Sequence, residues 1–145
     1  MGSMYEWSCE SCGAGERFSC GGGMLSYNEP SVISRAGEGA YGEAMARLLQ
    51  DGVPDGWSVF RSQIYWLCPE CDATFEGTEL SVNDRGEGKL IYRAAPGTCP
   101  ACGWELVDET PMSEADISDR CMSRQRDGCP KCGGRTVTFT FGNWD

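Results

Sequence analysis

The chain has 145 residues, a formal net charge of −10, ten cysteines and no histidine. That length allows one ordinary domain or two very small ones, and no apolar stretch approaches the ~20 residues that a membrane-spanning helix needs. Only 12 residues are Lys or Arg, 10 of them Arg, which argues against a basic phosphate-binding face, and the missing histidine excludes a cysteine–histidine catalytic dyad.

Taken in order, residues 1–3 read as an added leader and are set aside. The stretch Tyr5-Glu6-Trp7-Ser8 leads into the pair Cys9/Cys12. Three glycines follow in Ser19 to Met24, and they suit a tight turn or bulge. They do not suit a nucleotide loop, because the Gly-Lys-Ser/Thr ending is missing. A helix is expected over Glu38 to Gln50, where Tyr41, Ala44, Met45, Leu48 and Leu49 form one apolar stripe, Glu43 precedes Arg47 by four, and Gly52 and Pro54 stop the run.

The segment from Ile64 to Val107 is the most regular. IYWLCPEC is a β-rich approach to Cys68/Cys71, DATFEGTEL continues it, Asn83 to Gly88 turns, and KLIYRA returns toward Cys99/Cys102. A second helix is expected over Pro111 to Arg126, with Ser113 as its cap and Asp116 answering three residues on. After Cys129/Cys132, Val137, Phe139 and Phe141 alternate as one face of a strand, and Gly142-Asn143 reads as a turn before Trp144.

The four Cys-x-x-Cys pairs carry the chemistry. Two thiolates at that spacing grip one tetrahedral ion. The local sequences are CESCG, CPECD, CPACG and CPKCG. Proline stiffens three of the loops. Glycine follows the second cysteine in three, where the chain must turn left-handed, and Asp72 in the fourth is one of the few other residues that tolerates this. A disulfide scaffold is the competing reading, but no hydrophobic leader precedes Cys9 and all four pairs share one short spacing.

Eight ligands make two four-cysteine sites, and zinc is the expected ion, two per chain. Strand, knuckle, hairpin, knuckle is the order of a zinc ribbon, which assigns Cys68, Cys71, Cys99 and Cys102 to one ion. Cys9, Cys12, Cys129 and Cys132 are left for the other, clamping the two ends of the chain. Joining the first loop with the second and the third with the fourth remains open, since spacing alone does not fix connectivity. The expected fold is a small metal-stabilised α+β unit: zinc ribbons of short antiparallel hairpins with one or two helices. Residues 64–107 form the central ribbon, and 4–63 with 108–145 form the terminal knuckles and helix, all in one compact unit.

Zinc closed by four thiolates keeps no open position and is a poor Lewis acid. Hydrolytic chemistry is therefore not expected, and the zinc-deaminase signature is missing its histidine- or cysteine-glutamate half. Eight thiolates on two divalent ions would add −8 and +4, taking the −10 to −14. Cys20 and Cys121 stand outside the pairs and read as buried small side chains, with a reactive thiol beside Arg120 as the alternative. Arg120, Arg124 and Arg126 read as a solvated helix face.

The motifs YEWSCESCG, GGGML, GAYGEAM, IYWLCPEC, CPACG, CPKCGG and the final NWD, taken in order, resemble a family of small, uncharacterised bacterial proteins built from several zinc-ribbon knuckles. The resemblance implies a zinc-binding fold and no established activity. Asp72 at the usual glycine and the extra Cys20 and Cys121 depart from it.

Three functions fit these residues. The first is a cytoplasmic, non-enzymatic zinc protein that binds another protein through hairpin aromatics Tyr65, Phe75 and Tyr92, with inward packing of these side chains as the equal alternative. The second is a nucleic-acid-binding ribbon using Arg85, Lys89 and Arg93, opposed by the net charge. The third is a rubredoxin-like electron carrier with iron in the sulfur cages.

Overall fold

The computed structural model describes residues 2–21, 28–84, 87–94, 96–106 and 110–144, and every count below refers to these. Alternation builds most of the molecule. In β1 (Gly2–Cys9) the side chains of Tyr5, Trp7 and Cys9 are buried and those between them are less so, the period of a strand with one covered face. β2 (Gly15–Gly21) repeats this with Phe18 and Cys20. Two short helices follow, α1 (Pro30–Gly37) and α2 (Glu43–Leu49). Then come β3 (Trp57–Leu67), β4 (Thr74–Asp84) and β5 (Glu87–Arg93), a longer helix α3 (Glu114–Asp127), and β6 (Val137–Trp144).

The strands form one antiparallel sheet in the order β5-β4-β3-β2-β1-β6. Because neighbouring strands run in opposite directions, the ends of β1, β3 and β5 and the starts of β2, β4 and β6 share one end of the sheet. All four Cys-x-x-Cys loops hang from that end. The helices share one face: Val59, in the core under α1 and α2, and Tyr65, in the core under α3, stand an even number of residues apart on β3 and so face the same side.

β2 and β3 meet at a single ladder pair, Gly21 with Gln63. Nearer the cysteines a side chain takes over. The Tyr65 ring packs edge-on against Phe18 with centroids 5.0 Å apart, and its hydroxyl accepts the Ser19 N–H at 2.7 Å. A partly buried main-chain donor left without its ladder partner is thereby satisfied.

Several expectations change. The hairpins are not separate short ribbons but parts of a six-stranded sheet, and β3 begins at Trp57, well before Ile64. Gly2 and Ser3 belong to β1, paired with Gly21 and Cys20 on one side and Trp144 and Asn143 on the other. The expected Glu38–Gln50 helix starts only at Glu43, because Gly39 and Gly42 have φ of 97° and 85°. Tyr41 nevertheless joins the core from that turn, edge-on to Tyr92. α1, which opens on Pro30, is an element beyond those expected. α3 starts at Glu114, three residues later than expected and directly after Ser113, ends at Asp127, and carries the full capping box of Ser113 and Asp116. β6 runs straight through Gly142 and Asn143. The turn after Asp84 and the GGGM run after Gly21 lie largely outside the described residues.

Candidate metal centres

Each Cys-x-x-Cys loop closes with the same two main-chain bonds. The residue after the second cysteine returns its N–H to the first cysteine's carbonyl: Gly13 to Cys9 at 2.9 Å, Asp72 to Cys68 at 2.9 Å, Gly103 to Cys99 at 2.9 Å, Gly133 to Cys129 at 2.8 Å. The first cysteine's N–H then reaches the carbonyl one residue further on, at Ala14, Ala73, Trp104 and Gly134. This turn needs a left-handed residue, and all four have it, with φ of 75° at Gly13, 62° at Asp72, 77° at Gly103 and 73° at Gly133.

The loops pair across the sheet end into two clusters. Cys9, Cys12, Cys129 and Cys132 form one, and Cys68, Cys71, Cys99 and Cys102 the other, with the four sulfurs of each cluster within 4.8 Å of one another. The first loop is not joined to the second, nor the third to the fourth. Cys9 Sγ lies 3.6 Å from Cys132 Sγ and Cys12 Sγ 3.7 Å from Cys129 Sγ. In the central cluster Cys68 to Cys102 is 3.6 Å and Cys71 to Cys99 is 3.7 Å. A tetrahedron of sulfurs at 2.3 Å from one ion has edges of ~3.8 Å, whereas a disulfide needs ~2.05 Å. All ten cysteines are free thiols. The spacing therefore fits one metal ion per cluster.

Main-chain amides prepare Cys99 and Cys129 for negative charge. At Cys102 and Cys132 the N–H groups of Trp104 and Gly134 are outweighed by burial and the neighbouring sulfurs, which push these thiols up. The Ala101 N–H points at Cys99 Sγ (3.4 Å) and the Gly134 N–H at Cys132 Sγ (3.3 Å). Burial pushes the Cys99 thiol up, but the N–H groups of Cys102 and Ala101 outweigh it and hold it at about 7. The N–H groups of Cys132 and Lys131 bring Cys129 to about 7 as well. In every pair the first cysteine is buried and the second exposed, so each cluster is rooted in the protein on one side and faces water on the other.

Between the clusters lies a charged junction. The Arg120 guanidinium donates to Glu16 Oε1 and Oε2 at 3.0 and 3.1 Å, to Asp72 Oδ1 at 2.8 Å and to the Asp72 carbonyl at 2.7 Å. Arg124 adds a bond to Asp72 Oδ2 at 2.6 Å. Glu16 also accepts from Trp7 Nε1 and Thr74 Oγ1. Burial raises the Glu16 carboxyl, but these donors, Arg120 foremost, leave it below the usual carboxylate range. The Arg120 side chain is only 10% exposed, so the solvated-face reading fails for it, and Arg126 alone is well exposed, beside Asp127. The sequence did hold a signal for this junction: an acidic residue stands where the other three loops have glycine.

The remaining candidates resolve as follows. Cys20 and Cys121 are buried in the core under α3, and burial pushes both thiols up to about 11. That is opposite to the activation expected of a reactive cysteine. Tyr65 is 4% exposed, while Phe75 and Tyr92 pack against the cores beneath them, so the hairpin aromatics do not form an open surface. Arg93 is engaged by Glu79 at 2.6 Å, and Arg85 lies outside the described residues. No described helix is long and apolar enough to cross a membrane. No protein-family model, curated protein or solved structure matches this chain.

Proposed function

We propose that the chain is a two-zinc, non-enzymatic protein of the cytoplasm that presents a rigid sheet end and edge to a protein partner. The resemblance to small bacterial multi-knuckle zinc-ribbon proteins belongs to this reading. The observation that carries it is the pair of four-sulfur clusters, each with all its sulfurs within 4.8 Å of one another and two of its S···S distances at 3.6 and 3.7 Å. Four thiolates saturate a zinc ion and leave no site for water or substrate. Residues Cys9, Cys12, Cys129 and Cys132 would hold one ion, and Cys68, Cys71, Cys99 and Cys102 the other. Bound there, the ion supplies folding free energy, on the order of 10 kcal/mol in small peptides.

The protein-partner part rests on what is exposed. Trp104, two residues after Cys102, is 48% exposed, and Phe141, on the edge strand β6, is 54% exposed. Both are large side chains of the type that anchors interfaces, and the acidic balance disfavours nucleic acid. Native mass spectrometry of protein purified without chelators, with an absorption spectrum on the same sample, tests the metal. Two zinc ions and a colourless solution are expected. Bound iron with a visible thiolate charge-transfer band would replace this reading with electron transfer.

A further inference from the structure

We propose that the two clusters take up metal cooperatively, with the Arg120–Asp72–Glu16 junction as the coupling element. The proposal rests on the two-metal reading above and concerns how filling one site changes the affinity of the other.

The junction touches the frame of both clusters. Asp72 directly follows Cys71 and is the left-handed residue that closes that loop, so its carboxylate moves with the central cluster. Glu16 stands just past the first loop of the terminal cluster, on β2. Arg120 and Arg124 sit one turn apart on α3, whose last turn sets the approach to Cys129: the Gly128 N–H bonds the Arg124 carbonyl at 2.9 Å, and Cys129 follows at once. One guanidinium thus ties the loop of Cys71, the strand after Cys12 and the helix before Cys129.

Near the sulfurs, the other described ties across the β2–β3 seam include the Thr74 hydroxyl on Glu16 and Tyr65 on Phe18 and Ser19. The β2–β3 seam has its one ladder pair far from the sulfurs, at Gly21 and Gln63. The core beneath the central cluster is small, with Leu106 buried and Ala73 and Phe75 partly so, and without an ion little else holds that loop. When it loosens, Asp72 shifts, and the Arg124 guanidinium, 19% exposed, loses its carboxylate partner while Arg120 is left with Glu16 alone. Uncompensated burial of charge is costly, so α3 must adjust, and Cys129 with it. Filling the central site removes that freedom before the terminal site binds, which raises the terminal affinity, and by linkage the reverse holds equally.

Cooperative uptake has a direct readout. The full chain, stripped of metal under reducing conditions, is given half the zinc needed to fill both sites, and native mass spectrometry counts the apo, one-zinc and two-zinc forms. Independent equal sites would leave about half the molecules with one ion; coupling of the usual size, roughly 5- to 150-fold, pushes that fraction well below half. Asp72→Gly keeps a residue suited to the turn while removing the carboxylate, and Arg120→Met removes the guanidinium. Both variants are expected to bind two ions at saturation, with the one-zinc fraction rising at half loading. An unchanged one-zinc fraction in both variants overturns the coupling. A chain that takes up no metal at all overturns the two-site reading beneath it.

Discussion

The two sulfur clusters have the same ligands and loop geometry, yet they are built into the molecule in opposite ways. The central cluster is local: Cys71 and Cys99 are 28 residues apart, and β3, β4 and β5 are consecutive. The terminal cluster joins Cys12 to Cys129 across 117 residues, and the whole central unit lies within that span. Loop closure grows only with the logarithm of length, so the longer span costs about 1.3 kcal/mol more. What differs more is the support beneath. Cys9 and Cys129 belong to a core with Tyr5, Trp7, Phe18, Tyr65, Ile117, Cys121 and Val137, whereas Cys68 and Cys99 have Leu106 with the flanking Ala73 and Phe75. One cluster is woven into the main core at its root; the other stands on a small core of its own, apart from the larger one under α1 and α2.

The largest expected difference follows from this. With excess zinc present, Cys129→Ser should lose one ion and unfold the molecule, because the cluster it breaks shares the core that joins β1, β2, β6 and α3. A loss on the order of the structural-metal contribution, up to 10 kcal/mol, exceeds what most small domains can spare. Cys68→Ser should also lose one ion, but under the same conditions it should lose hydrogen-exchange protection mainly around 68–73 and 96–106. Equal, global loss of protection in both variants would break the comparison.

A smaller effect is expected at the seam between the two halves. Tyr65→Phe keeps the ring against Phe18 but strands the Ser19 N–H, at a cost of about 1–3 kcal/mol. Urea unfolding would report it. A change below about 0.5 kcal/mol would mean the hydroxyl does not substitute for the missing ladder.

The smallest effect concerns the two thiols outside the clusters. Burial raises Cys20 and Cys121 to about 11, so the folded state holds them protonated where the unfolded chain would ionise them. Their contribution to stability is complete below the ordinary thiol range and is lost as pH rises through about 11. The unfolding midpoint should therefore hold up to about pH 9, in the thiol range, and decline above it. Both cysteines should also resist iodoacetamide in the zinc-loaded protein at about pH 8, where an exposed thiol is partly ionised; rapid alkylation of Cys121 there would contradict its place in the core.

Much of this was legible in the residues because it is local. The Cys-x-x-Cys spacing with its following glycine or aspartate specifies the loop, since the turn closes within about six residues and needs only a left-handed position. Ser113 and Asp116 specify the start of α3, and the hairpin pattern from Ile64 onward favours the loop pairing of the central cluster, which the structure then decides. The strands β1 and β2 were not among the expected elements, although Tyr5, Trp7 and Cys9 and then Phe18 and Cys20 are spaced two apart.

The sequence by itself determined the eight paired cysteines, the four loops and the closed, sulfur-only chemistry they allow, because each depends on residues within a few positions of one another. Only the tertiary structure decided that the hairpins merge into one six-stranded sheet, that Tyr65, Phe75 and Tyr92 turn toward the interior, and that Arg120 and Arg124 leave solvent to hold Asp72 and Glu16. Those outcomes depend on partners far apart in the chain, 46 residues for Ser19 with Tyr65 and 104 for Glu16 with Arg120. No local spacing encodes such contacts; they form only when the sheet order places the strands side by side.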